Sequence, residues 1–272
     1  MSASFPTDLI RKDVADLPTY NAGLALDQFK AKYGVDCHAK LDSNESTLGP
    51  SPRAVQAMQD AAAGVWRYPD AGNAALRSQI AEQIGTTQDR VIFGNGSEDL
   101  IGALFRATIR PRDKVVTICP SFGLHEFGAM MFGGTVTKVP FNTDWSFPVA
   151  GLCDALKLKP RVLIFSSPSN PAGPAISEQD FRTILAVADP SSLICFDEAY
   201  VEFLPEGTPS ASDLLPGRER LVVSRTMSKA FAFAGARVGY LLADPAVIDA
   251  MRLVRLPYHL SALTQAAAVA AL

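Results

Sequence analysis

With 272 residues, 48% of them hydrophobic, and a mean hydropathy of +0.12, the chain is long enough to bury a substantial core and to form one large domain with an appendage. Lysines and arginines number 25 against 28 aspartates and glutamates, a net charge of -3, so charge alone recruits neither nucleic acid nor an anionic membrane. No span reaches the length of a transmembrane helix, and Asp, Arg, Lys and Pro interrupt the opening MSASFPTDLIRKDVADLP where a signal peptide would be apolar, so a soluble cytoplasmic enzyme is expected.

Residues 1–50, rich in Pro, Gly, Asp and Asn, read as an N-terminal arm. From about residue 90, short β-branched runs alternate with amphipathic stretches. Strands are expected over 91–93, 114–119, 135–139, 162–166, 193–197, 221–224 and 238–242, with helices such as 99–107, 125–132, 149–158 and 177–188 between them. That alternation predicts an α/β fold whose mainly parallel sheet is covered on both faces. Such sheets bind ligands beyond the carboxyl ends of their strands, which directs attention to the loops there. The chain closes on QAAAVAAL, helical in character and without a Gly, Asn or Pro stop, so a continuation past Leu272 is expected. Cys37, Cys119, Cys153 and Cys195 are dispersed, with no metal-binding spacing, and read as buried reduced thiols. His38, His125 and His259 are equally scattered and receive no catalytic role.

Four loops after expected strands carry polar residues. Gly94-Asn95-Gly96-Ser97-Glu98-Asp99 is a turn opening a helix, where exposed N–H groups suit a phosphate, although an ordinary capped turn explains it as well. In Ser167-Pro168-Ser169-Asn170-Pro171-Ala172-Gly173 the prolines and glycine fix the backbone around one amide, Asn170. Asp197-Glu198-Ala199-Tyr200 puts a carboxylate at the end of an apolar strand, where it faces solvent or pairs with a cation. Arg225-Thr226-Met227-Ser228-Lys229-Ala230-Phe231, with Arg237 following, supplies hydroxyls and cations for a phosphate or else forms a solvated basic loop.

Taken jointly, Gly96-Ser97-Glu98, Ser167-Pro168-Ser169-Asn170-Pro171, Asp197-Glu198-Ala199-Tyr200 and Thr226-Met227-Ser228-Lys229 with Arg237 resemble fold-type I pyridoxal-phosphate (PLP) aminotransferases, with the histidinol-phosphate aminotransferase family the nearest match. The likeness runs from Leu17-Pro18-Thr19-Tyr20 through Ser43-Asn44-Glu45 and Tyr68-Pro69-Asp70 to the end of the chain. It implies a three-layer αβα domain, the PLP-dependent transferase fold, with residues 1–50 as the arm and start of a small domain. Residues 51–272 would be the large PLP-binding domain, cut before a C-terminal small domain that appends substrate-binding arginines.

Residue by residue, the resemblance makes Lys229 the Schiff-base lysine and proton carrier, and Asp197 the partner of the pyridine nitrogen. Asn170 and Tyr200 are implied for the phenolic oxygen, and Phe122 of Pro120-Ser121-Phe122-Gly123 for stacking on the ring, a position that core packing alone also explains. Ser97, Glu98, Thr226, Ser228 and Arg237 are implied for the phosphate, Tyr68 for the phosphate of a neighbouring subunit in a homodimer, and Tyr20 for the substrate phosphate. One departure is Ser43-Asn44-Glu45-Ser46-Thr47, where the family usually has a proline after this Asn-Glu pair. The implied reaction converts L-histidinol phosphate and 2-oxoglutarate to imidazole acetol phosphate and L-glutamate. An aromatic amino acid aminotransferase, a threonine-phosphate decarboxylase-like enzyme and a PLP-binding chain without turnover are the alternatives.

Overall fold

The computed structural model describes residues 9–17 and 23–272. Seven strands form one sheet: β1 (Val91–Gly94), β2 (Lys114–Cys119), β3 (Thr135–Pro140), β4 (Val162–Ser166), β5 (Leu193–Asp197), β6 (Leu221–Thr226) and β7 (Gly239–Leu242). Their order is β1-β7-β6-β5-β4-β2-β3, and β7 alone runs antiparallel to its neighbours β1 and β6. The α-helices are α1 (Lys12–Ala15), α2 (Leu26–Tyr33), α3 (Pro52–Ala61), α4 (Ala74–Ile84), α5 (Gly96–Thr108), α6 (Gly123–Met131), α7 (Val149–Leu156), α8 (Glu178–Val187), α9 (Pro245–Val254) and α10 (Ala262–Ala271).

The strands alternate their side chains between two apolar layers, as the period of two along a pleated strand requires. Phe93, Leu163, Phe165, Ile194, Phe196 and Val223 join one cluster with Leu152 of α7, Phe181 of α8 and Ile80 of α4. Ile92, Ile164, Cys195 and Val222 join the other, with Leu104 of α5, Ala129 of α6 and Ile248 of α9. Both faces are therefore covered, which is why β4 reads as a run of buried residues with no polar alternation. The three-layer αβα architecture expected from the sequence is the one formed.

Several helix ends are fixed by local chemistry. Ser177, Asp244 and Ser261 accept hydrogen bonds from the first-turn N–H groups of α8, α9 and α10, and Pro245 stands in the first turn of α9, where its missing N–H costs nothing. Helix α5 has no such side-chain cap. Helix α2 buries none of its residues. Among the described residues no helix is long and apolar enough to cross a membrane.

Candidate functional site

The register of the three central strands aligns Ser166, Asp197 and Ser224 across their carboxyl ends. Beyond them opens a cavity of about 670 Å³. The loops after β1, β2, β4, β5 and β6 line it with Ser97, Glu98, Phe122, Asn170, Asp197, Tyr200, Thr226, Ser228, Lys229 and Arg237. Ten of the residues singled out in the sequence thus converge. Tyr20 lies outside the described residues. Tyr68 does not line the cavity; its ring is exposed and stacks on Tyr258 at 4.3 Å between centroids.

Asp197 is 3% exposed, a costly place for a carboxylate unless it is paired. Its Oδ2 meets His125 Nε2 at 3.1 Å. His125 is fully buried, and its Nδ1 lies 3.2 Å from Ser121 Oγ, which in turn is 3.3 Å from Thr117 Oγ1. An ionised Asp197 only accepts, so Nε2 carries a proton, and in a neutral ring Nδ1 accepts from Ser121. Asp197 Oδ1 is buried and has no hydrogen-bond partner among the described residues. This oxygen is the open valence of the cavity.

Lys229 is half-buried, and its Nζ donates to the Ser43 carbonyl at 2.9 Å and stands 5.7 Å from the centre of the Tyr200 ring. Burial pushes its ammonium below the usual lysine range, opposed by the charge of Glu45 and reinforced by that of Arg237. A larger share of neutral amine is available there than on a surface lysine. Tyr200 accepts from Asn44 Nδ2 at 2.9 Å, which leaves its own O–H free to donate. Burial pushes the Tyr200 phenol up, so it stays protonated at neutral pH.

The loops also present donors suited to an oxyanion. Helix α5 begins at Gly96, whose φ of +83° is accessible to glycine. A Cβ at that position would stand 2.5 Å from Arg237 Nη2, and one at Gly239 would collide with the backbone nitrogen of Ser97. Both glycines therefore let the α5 entry and the guanidinium pack closely. Arg237, itself at φ +60°, donates to the carbonyls of Ala234 at 3.1 Å and Asn95 at 3.3 Å, keeping further N–H groups uncommitted. Thr226 and Ser228 are buried beside it, with Oγ1 of one 2.9 Å from Oγ of the other. The uncapped N–H groups of α5, two hydroxyls and a guanidinium together form a corner chemically suited to an anion.

Two features escaped the sequence reading. His125, set aside as a dispersed histidine, is the one hydrogen-bond partner that the Asp197 carboxylate has among the described residues. Its position three residues after Phe122, on the first turn of α6, was the available signal, because both residues then face the same strand-end space. The segment 41–45 also lines the cavity, through contacts of Ser43 and Asn44 that span more than 150 residues and leave no local pattern. The expectation of buried thiols holds for Cys195 only: Cys119 is exposed at the end of β2, and Cys37 and Cys153 are partly buried. Among the described residues no group of three or more His, Cys, Asp or Glu is placed to hold a metal ion.

A family model, aminotransferase class I and II, matches residues 38–272. The chain is 40% identical over 270 residues to histidinol-phosphate aminotransferase 1 of Mesorhizobium japonicum, covering 98% of this chain and 73% of that protein. It is 36% identical to the histidinol-phosphate aminotransferase of Akkermansia muciniphila, covering 95% and 72% respectively. Among solved structures, the Sinorhizobium meliloti histidinol-phosphate aminotransferase in complex with pyridoxal-5'-phosphate is similar with a TM-score of 0.90 at 26% identity, over 97% of this chain and 70% of that one.

Proposed function

The chain belongs to the class I and II aminotransferase family, and from that premise we propose that it is a PLP-dependent transaminase converting L-histidinol phosphate and 2-oxoglutarate to imidazole acetol phosphate and L-glutamate. The observation that carries this reading is the buried, unpartnered Asp197 Oδ1 on the same cavity as the half-buried amine of Lys229. A buried carboxylate oxygen needs a cationic donor, and a protonated pyridine nitrogen is one. The anion-binding corner of Ser97, Thr226, Ser228 and Arg237 suits the phosphate of the same molecule, so the residues present fit PLP. When bound, the cofactor supplies an aldehyde carbon that amines attach to and a ring that draws electrons from the carbon beside the amine.

The chain's own residues then divide the work. Asp197, oriented by His125, would hold a proton on the ring nitrogen, and Asn170 and Tyr200 would serve the phenolic oxygen, with Tyr200 as O–H donor. Phe122 would cover the ring, while Ser97 and Glu98 would offer backbone N–H groups to the phosphate. Lys229 Nζ, whose ammonium is disfavoured by burial, would be the amine that holds the cofactor and the base that moves the substrate Cα proton. Residues 51–272 serve as the PLP-binding domain and residues 1–50 as the arm, whose Ser43 and Asn44 reach Lys229 and Tyr200.

A second copy of the chain completes the site in a cytoplasmic homodimer. Tyr68 is 80% exposed beside Trp66 at 73%, an apolar pair that a dimer would cover, and Tyr68 is offered to the neighbour's phosphate. Tyr20 is the arm's candidate for the substrate phosphate.

Adding PLP to purified protein should produce the visible absorbance of a lysine-bound cofactor, and Lys229→Ala should abolish it. A wild type that stays colourless would remove the cofactor assignment. Single-turnover spectra with histidinol phosphate, phenylalanine and threonine phosphate then separate the substrates. Reaction with phenylalanine alone would keep the transaminase and overturn the substrate.

A further inference from the structure

At the opposite end of the sheet from Lys229 lies a second cavity, of about 540 Å³. Four arginines line it, against two carboxylates, in a protein whose net charge is -3. Arg106 and Arg110 come from the end of α5 and the turn after it, Arg161 stands immediately before β4, and Arg220 immediately before β6. No lysine is present on its wall. Cations near the carboxyl end of α5 complement that helix's dipole, but this accounts only for Arg106 and Arg110. Arg161 and Arg220 instead stand immediately before strands.

The two carboxylates leave most of this charge uncompensated. Asp244 is already engaged, capping α9 through the Ala246 N–H at 3.0 Å and pairing with Arg90 at 3.7 Å. Glu219 is exposed and has no ion-pair partner among the described residues. Arg161 shares Asp113 through a 3.3 Å contact, and Arg106 donates to the Val254 carbonyl at 2.7 Å, each with one part of its guanidinium. Arg110 and Arg220 have no side-chain partner among the described residues. Arg106, Arg110 and Arg220 are exposed and Arg161 is partly buried, so the cavity presents a solvent-facing rim of positive charge that attracts anions.

We propose that this arginine cavity binds a small phosphate-containing polyanion. Its volume falls within the range of small-molecule sites, about 300–1,000 Å³. Guanidinium forks placed before two strands and at one helix end supply donors from several sides, which a tetrahedral oxyanion, accepting in several directions, can use together. The phosphate corner around Thr226 and Ser228 lies at the carboxyl ends of the strands, so the two anion sites occupy opposite edges of the sheet.

Calorimetric titration of PLP-loaded protein with pyrophosphate tests the proposal, because the cofactor's phosphate position is then filled. One site per chain is expected, weakened about tenfold or more in the Arg110→Ala/Arg220→Ala double variant. Glu219→Gln, which removes a competing carboxylate, should tighten it. Turnover without pyrophosphate and the visible absorbance should match wild type in both variants. Absence of pyrophosphate binding, or equal binding by the double variant, overturns the site. So does binding of single-stranded RNA without binding of pyrophosphate, because a steeply salt-dependent polyelectrolyte contact needs no cavity.

Discussion

Asp197 and Glu198 are neighbours in the chain and almost equally buried, at 3% and 2% exposure, yet their surroundings differ completely. Glu198 is saturated. Its Oε1 accepts from the Ala211 N–H at 2.7 Å, its Oε2 from Arg225 Nε at 2.9 Å, and Ser210 Oγ lies 2.9 Å from both oxygens. Arg225 in turn reaches Ser210 Oγ at 2.6 Å. Asp197 has one partner, His125, and one buried oxygen with none. Because strand residues alternate faces, consecutive carboxylates enter different environments. A satisfied buried ion pair ties loops together, whereas an unsatisfied buried oxygen marks where a ligand is needed.

The comparison is sharpest if substitutions separate function from stability. Asp197→Asn keeps an acceptor for His125 Nε2 but removes the charge that would hold the ring nitrogen protonated. Turnover should fall on the order of 10²- to 10³-fold, as when a preorganised electrostatic contact is lost, with the urea midpoint nearly unchanged. A comparable fall in the midpoint would break the distinction, because Asp197 would then be structural as well.

Arg225→Met should act in the opposite sense. It strands Glu198 as a buried charge, at a cost of about 3–5 kcal/mol, visible as a lower urea midpoint. Cofactor absorbance per folded molecule should stay at the wild-type level; loss of absorbance in a folded variant would place Arg225 in the site. His125→Phe is expected to have a smaller effect on turnover. It removes one hydrogen bond to a charged group, worth about 1.5–3 kcal/mol, so kcat should drop about ten- to a hundredfold while KM holds. A change in KM alone would count against a role acting through Asp197.

The sequence revealed these two carboxylates unevenly. Both sit in one motif at the end of an apolar run, and that run identified β5 because consecutive β-branched and aromatic residues bury on both faces of a covered sheet. Strands β1, β4, β6 and β7 were legible for the same reason. The reversed direction of β7 was not, since Val238 to Leu242 carry the same hydrophobic signal whichever way the strand runs. Lys229, Asn170 and Arg237 were found through their company in strand-end loops. The saturation of Glu198 was invisible, because Ser210, Ala211 and Arg225 are distant in sequence and bear no periodic relation to it. His125 was missed for a related reason: a lone histidine gains meaning only once the sheet brings Asp197 beside it.

His259 offers a third polar group, half-buried, whose two ring nitrogens are unequally partnered. Its Nε2 lies 2.8 Å from Asn73 Oδ1 and 3.2 Å from Arg255 Nη1, and its Nδ1 is buried without a hydrogen-bond partner among the described residues. Burial, helped by the charge of Arg255 and opposed by that of Asp99, lowers its pKa from the ordinary 6.5 to about 4. The unfolded chain therefore takes up this proton as pH falls through 6.5, while the folded chain resists until about 4. Across that window the unfolded state holds more protons, so stability is fully present above it and declines toward acid. Glu202, raised from 4.5 by burial, titrates nearby with the opposite sign, so the wild-type slope alone does not isolate the histidine. The difference between wild type and His259→Gln does. Urea midpoints at pH 7 and pH 5 should lie closer together in the variant, by the least of these expected effects, and equal spacing in the two proteins would show that His259 titrates alike in folded and unfolded chains.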